Sequence, residues 1–132
     1  MPLVLLVIAA LQAQVPAASV AGSWKSPGGN SIITIAPCGA ALCGTVAWAS
    51  ESAKKAALRT TDQLVGTQLL TQVQQGRDGR WHGKLFIPDK NMRVTAKLQL
   101  KDAQQLRVSG CAVGKTLCKD TIWVRTDGTL PS

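Results

Sequence analysis

The chain has 132 residues, with 15 basic and 7 acidic side chains, one histidine and a net charge of +8. That length holds one domain around one modest core and leaves no room for a second. The positive balance favours anionic partners. However, only Lys54 and Lys55 are adjacent, and scattered cations read as a solvated face rather than a nucleic-acid tract.

The first element is an apolar leader. Leu3, Val4, Leu5, Leu6, Val7, Ile8 and Leu11 form a short hydrophobic run followed by small residues. This pattern reads as a signal peptide over residues 1–21, cleaved after Ala13, Ser19 or Ala21, although no Lys or Arg precedes Lys25. The run is shorter than the ~20 residues a membrane helix needs, so cleavage is favoured and no stable membrane span is expected afterwards. Residues 22–132 then form a single domain, periplasmic or secreted.

From residue 22 onward the hydrophobic period is mostly two. Met92, Val94, Ala96, Leu98 and Leu100 alternate with Arg93, Thr95, Lys97, Gln99 and Lys101, the pattern of a strand with one buried and one wet face. Leu106 and Val108 repeat it after a turn at Asp102-Ala103, predicting a hairpin. Further strands are expected over Ser31–Ala36, Gly44–Ala49, Arg80–Ile87 and Thr121–Thr126. Turns are expected at Gly28-Gly29-Asn30, Asp78-Gly79 and Pro88-Asp89. Ser50 can cap one short helix running to Leu58. The stretch from Arg59 to Gly76 shows no single period and reads as mixed loop and strand. Several short strands separated by turns point to a barrel or a sandwich.

Four cysteines fall in two close pairs, Cys38 with Cys43 and Cys111 with Cys118. Behind an export leader, an even count reads as two disulfides in an oxidising compartment. Three connectivities are open. The local pairs are favoured because each borders a strand where a loop needs fastening. A four-thiolate zinc site fits poorly, since the spacers of four and six residues exceed those common in structural zinc sites and no histidine lies nearby. No metal or cofactor is expected.

Catalysis lacks a constellation. His82 stands alone, in the opposite phase to Trp81 and Leu85, as an exposed strand residue. Most of the seven acids sit in turns, and no serine elbow or glycine-rich phosphate loop is present. The expectation is a protein that is not an enzyme. Trp24, Trp48, Trp81, Trp123 and Phe86 are not interleaved with cations as a nucleic-acid platform requires, so no nucleic-acid partner is expected. Trp123 and Arg125 share a strand face, which reads as an aromatic covered by a guanidinium.

Gly22-Ser23-Trp24 before the first strands, with Arg125 on the last, resembles the lipocalin pattern. The resemblance implies a barrel closed at one end by Trp24 with Arg125 packed across it, a structural barrel-end pair. A closer resemblance spans nearly the whole mature chain. Its blocks are Gly22-Ser23-Trp24, Ile35-Ala36-Pro37-Cys38-Gly39 through Leu42-Cys43-Gly44, Leu58-Arg59, and Leu64-Val65-Gly66-Thr67-Gln68-Leu69-Leu70. They continue with Trp81-His82-Gly83-Lys84-Leu85-Phe86-Ile87-Pro88, Leu106-Arg107-Val108-Ser109-Gly110-Cys111 and Cys118 to Arg125. On these blocks the chain resembles the exported bacterial family known as domain of unknown function 2147. The resemblance implies an all-β fold, a small lipocalin-like antiparallel β-barrel with one short helix, and it implies no activity. Glu51-Ser52-Ala53-Lys54-Lys55-Ala56 replaces an acidic stretch with an Asn-Pro-Asp element, and Ile87 and Val94 stand where the family carries aromatics.

The resulting expectation is a barrel that binds a small apolar or amphipathic ligand, an anionic head group being favoured by the basic surface. Trp48, Trp81, Leu85, Val94 and Leu98 are the candidate ligand-binding residues. The alternative is a protein-interaction module or inhibitor in the cell envelope, acting through disulfide-fastened loops around Ala40 and Lys115.

Overall fold

The computed structural model describes residues 19–112 and 117–131. The expected leader before residue 19, and Lys115, lie outside the described residues. The strands are β1 (Gly22–Lys25), β2 (Ser31–Cys38), β3 (Ala41–Ala49), β4 (Gln68–Gln75), β5 (Trp81–Ile87), β6 (Met92–Asp102), β7 (Gln105–Ala112) and β8 (Leu117–Thr126); one helix, α1 (Glu51–Ala56), joins β3 to β4. All neighbours are antiparallel and follow chain order, and β8 pairs back onto β1 to close the barrel. Closure removes both free edges that an open sheet would expose.

Inward positions follow strand alternation. Trp24, Ile33, Ile35, Ala96, Leu98, Leu106, Val108 and Trp123 are buried in one cluster with Leu70 and Val73. Their outward neighbours, Lys25, Arg93, Gln99 and Arg107, are exposed. β4 breaks the rule. Its two buried residues are three apart, because Gln72 takes a positive φ of 57° and the pairing with β5 slips between Thr71 and Gln74. A bulge of this kind inserts one residue and re-aims the rest of the strand. The loss of period two in the stretch from Arg59 to Gly76 follows from that bulge and from the turns before β4.

The helix forms where capping chemistry allows it. Ser50 Oγ accepts from the Ala53 backbone N–H at 3.1 Å. Glu51 lies in the first turn and Lys54 and Lys55 in the last, each matching the helix dipole. Six residues are too few to be stable alone. Ala53 and the following turn are held by a second cluster of Val46, Ala49, Ala57 and Leu64.

Both disulfides form within the local pairs. Cys38–Cys43 spans the β2–β3 turn with Cα atoms 5.8 Å apart, and Cys111–Cys118 spans the β7–β8 connection with Cα atoms 4.0 Å apart. The two bridges lie at opposite ends of the barrel. One end carries the β2–β3, β4–β5 and β6–β7 turns. The other carries the segment 26–30, the α1 connection, the β5–β6 turn and the β7–β8 connection.

Candidate functional site

The end carrying the β2–β3, β4–β5 and β6–β7 turns is sealed. Trp24 is 0 % exposed and its indole Nε1 donates to the Val20 carbonyl at 2.9 Å. Arg125 is its cross-strand partner, with the guanidinium 4.2 Å from the ring centroid. That guanidinium also donates to the carbonyls of Ala103 at 2.7 Å, Ala21 at 3.0 Å and Ser19 at 3.3 Å. One side chain thus ties the segment before β1 and the β6–β7 turn over the tryptophan. Gly22 makes room for this. Its φ is +126°, and a Cβ there would stand 2.6 Å from Arg125 Nη1. The guanidinium covers Trp24 rather than Trp123, because β8 pairs with β1 and brings Arg125 directly opposite Trp24.

The opposite end is open. An apolar cleft of about 420 Å³ enters the barrel there, within the size range of small-molecule sites. Its walls are Leu85 and Ile87 from β5, Met92 and Val94 from β6, Val108, Gly110 and Ala112 from β7, and Thr121 and Trp123 from β8. All share the inward phase of their strands. Gly110 lets this wall close up, since a Cβ there would come within 3.1 Å of Val94 Cγ2 and 3.5 Å of Leu85 Cδ2. The Thr121 hydroxyl donates to the Val108 carbonyl at 3.4 Å, so one polar group on the wall already has a partner. Lys90 and Lys119 also line the cleft, and both are exposed. Among the described residues neither has an acidic partner.

Of the five residues expected to meet a ligand, Leu85 and Val94 line this cleft. Leu98 is wholly buried in the packed core, and its cross-strand partner Trp81 packs on that core toward the sealed end. Trp48 pairs with Ile32 across a bulge between β2 and β3 and does not reach the cleft lining. Sequence reasoning missed Gly110, Trp123 and the two lysines. A glycine inside an alternating strand is itself a signal, because it marks a place where something must approach closely or space must be left. Ala40 is exposed between Cys38 and Cys43.

The remaining polar chemistry lies elsewhere. His82 Nε2 sits 3.1 Å from Asp78 Oδ2, on the outer face near the sealed end, with its side chain 39 % exposed. The hydrogen bond from His82, followed by that from the Arg80 backbone, holds the Asp78 carboxyl below the usual carboxylate value. Among the described residues no group of three or more His, Cys, Asp or Glu side chains is placed to hold a metal ion.

Two disulfides are the mark of a chain that folds in an oxidising compartment, and no helix among the described residues is long and apolar enough to cross a membrane. No curated protein matches the chain, and no solved structure matches it. A family profile described as an uncharacterized protein conserved in bacteria (DUF2147) matches residues 22–125, from the first strand to the arginine stacked on Trp24, and the chain belongs to that family.

Proposed function

We propose that this protein is a binding barrel of the bacterial cell envelope, not an enzyme, and that its open end takes a small amphipathic acid. The apolar part of the ligand enters between Leu85, Val94, Gly110 and Trp123, and its anionic head group meets Lys90 and Lys119. The observation that carries this reading is the pairing of an apolar cleft inside the barrel with two uncompensated lysines at its lining. Apolar walls supply affinity without selecting orientation, and a few charged groups at the mouth supply the orientation. The His82–Asp78 pair faces away from this space, so it gives the cleft no acid or base.

Native mass spectrometry of the gently purified protein, with titration by a fluorescent fatty acid, tests the reading. The expected results are a bound mass that leaves on denaturation and saturable uptake. Uptake should depend on chain length. Each buried methylene contributes about 0.8 kcal/mol, so shortening the probe by two carbons weakens binding by about tenfold. Gly110→Val narrows the cleft at its β7 wall and should sharply weaken uptake in a folded protein. A bare mass together with no saturable uptake would reject the proposal.

A further inference from the structure

The rim of the open end carries exposed apolar side chains as well as cations. Leu58 is 60 % exposed and Met92 is 39 % exposed. They arise from segments far apart in sequence, yet the Thr60 hydroxyl donates to the Pro88 carbonyl. That bond holds the turn after α1 against the β5–β6 turn, so Leu58 and Arg59 share a rim with Lys90 and Met92. Leu58 also borders a shallow groove with Lys54 and Lys55. The acids near this rim are Glu51, Asp62, Asp89 and Asp120, the last next to Lys119 on the outward phase of β8, and Glu51 is already bonded to Lys54 at 3.4 Å. Lys55, Arg59, Lys90 and Lys119 have no acidic partner among the described residues.

We infer that the open end docks on an anionic lipid bilayer, with Leu58 and Met92 entering the headgroup boundary and the four cations facing lipid phosphates. This rests on the reading of the cleft as the site of an amphipathic ligand, which could then pass between bilayer and barrel without crossing bulk water. Charge complementarity alone would fit any polyanion. A soluble polyanion offers nothing to Leu58 and Met92, whereas an anionic bilayer offers both a negative surface and an apolar boundary. The mouth of the cleft, Leu58 and Met92, and the four cations Lys55, Arg59, Lys90 and Lys119 lie at one end.

Co-sedimentation with vesicles of neutral phosphatidylcholine, and with vesicles containing phosphatidylglycerol, tests the inference on the oxidised full chain. Residues 1–18 are common to every variant, so differences among the variants read the rim alone. The expected result is selective binding to the anionic vesicles that weakens as salt rises. Leu58→Asp and Met92→Asp should each reduce partitioning by about tenfold, and Lys90→Gln by about fivefold. Arg107→Gln, on the outer face of β7, should leave it unchanged. Circular dichroism verifies that each variant is folded. Equal binding to neutral vesicles, or partitioning unmoved by both Leu58→Asp and Met92→Asp, would overturn the inference. Retention on heparin without vesicle binding would also overturn it and assign the rim to a soluble polyanion. Fatty-acid uptake without vesicle binding removes the docking inference alone. Vesicle binding that survives in Gly110→Val, with uptake sharply weakened, supports docking as a property of the rim rather than of the cleft.

Discussion

At the sealed end, strand alternation places Trp24 inward, and Arg125 covers it with a cation–π contact and three carbonyl hydrogen bonds. At the open end, the same alternation places Gly110 inward, where Val94 and Leu85 close on its bare backbone and the cleft opens beside them. One end fills its volume around Trp24 and Arg125; the other leaves apolar wall uncovered beside Lys90 and Lys119. Packed volume stabilises the fold, while volume left open lowers stability and makes room for a ligand. The difference separates a region that holds the barrel together from one available for binding.

Substitutions at the two ends should therefore separate stability from uptake. The largest effect is expected for Trp24→Ala. Losing a buried aromatic costs about 3–5 kcal/mol, and here it also leaves Arg125 without its ring, so the urea midpoint should fall sharply or folding should fail. An unchanged midpoint would mean that the sealed end does not hold the barrel. Opening the Cys111–Cys118 bridge by the double substitution Cys111→Ser, Cys118→Ser comes next. The bridge closes a short loop with a sequence separation of 7, and the chain-entropy estimate for such a loop is about 2–2.5 kcal/mol. A loss of that size in denaturant unfolding would confirm it.

Gly110→Val reverses the balance. A Cβ at 110 already meets Val94 Cγ2 at 3.1 Å, so the larger side chain should cost about 1–3 kcal/mol through overpacking, while fatty-acid uptake falls sharply. If uptake is unchanged in this variant, the cleft is not the binding site. The smallest effect concerns the outer face. The Asp78 carboxyl is held below its ordinary value of 3.8 by His82 and the Arg80 backbone. A depressed folded value stabilises the protein above pH 3.8, and that contribution is lost as pH falls further through the folded value, when the native carboxylate is protonated. Asp78→Asn should thus be slightly less stable than the parent at pH 5, with the gap closing by pH 2 in urea unfolding. Uptake should not change, because Asp78 lies away from the cleft.

Much of the barrel was legible in local patterns. β6 reads directly from its alternation, since Val94, Ala96 and Leu98 are buried between Arg93, Thr95, Lys97 and Gln99. The helix reads from its Ser50 cap. β4 did not read, because the bulge at Gln72 spaces Leu70 and Val73 by three, and a period-two template cannot register that. The candidate site was legible only in part. Leu85 and Val94 are inward residues near the ends of their strands, whereas Leu98 has the same phase but lies deeper. Phase decides which face a residue occupies, and depth along the barrel decides whether it meets packed core or open space.

The sequence by itself determined that the chain is β-rich, which strand residues point inward on β6 and β7, and that its cysteines fall in two close pairs. These are local properties, set by alternation and spacing over a few residues. Only the tertiary structure decided the rest. The Trp24–Arg125 pair was implied by the resemblance, but the contact itself exists because β8 pairs with β1 across almost the whole domain. The cleft exists because residues of four strands converge around Gly110. No single segment specifies an empty volume, since the space inside a closed barrel depends on every strand's register and on the side chains that meet across it.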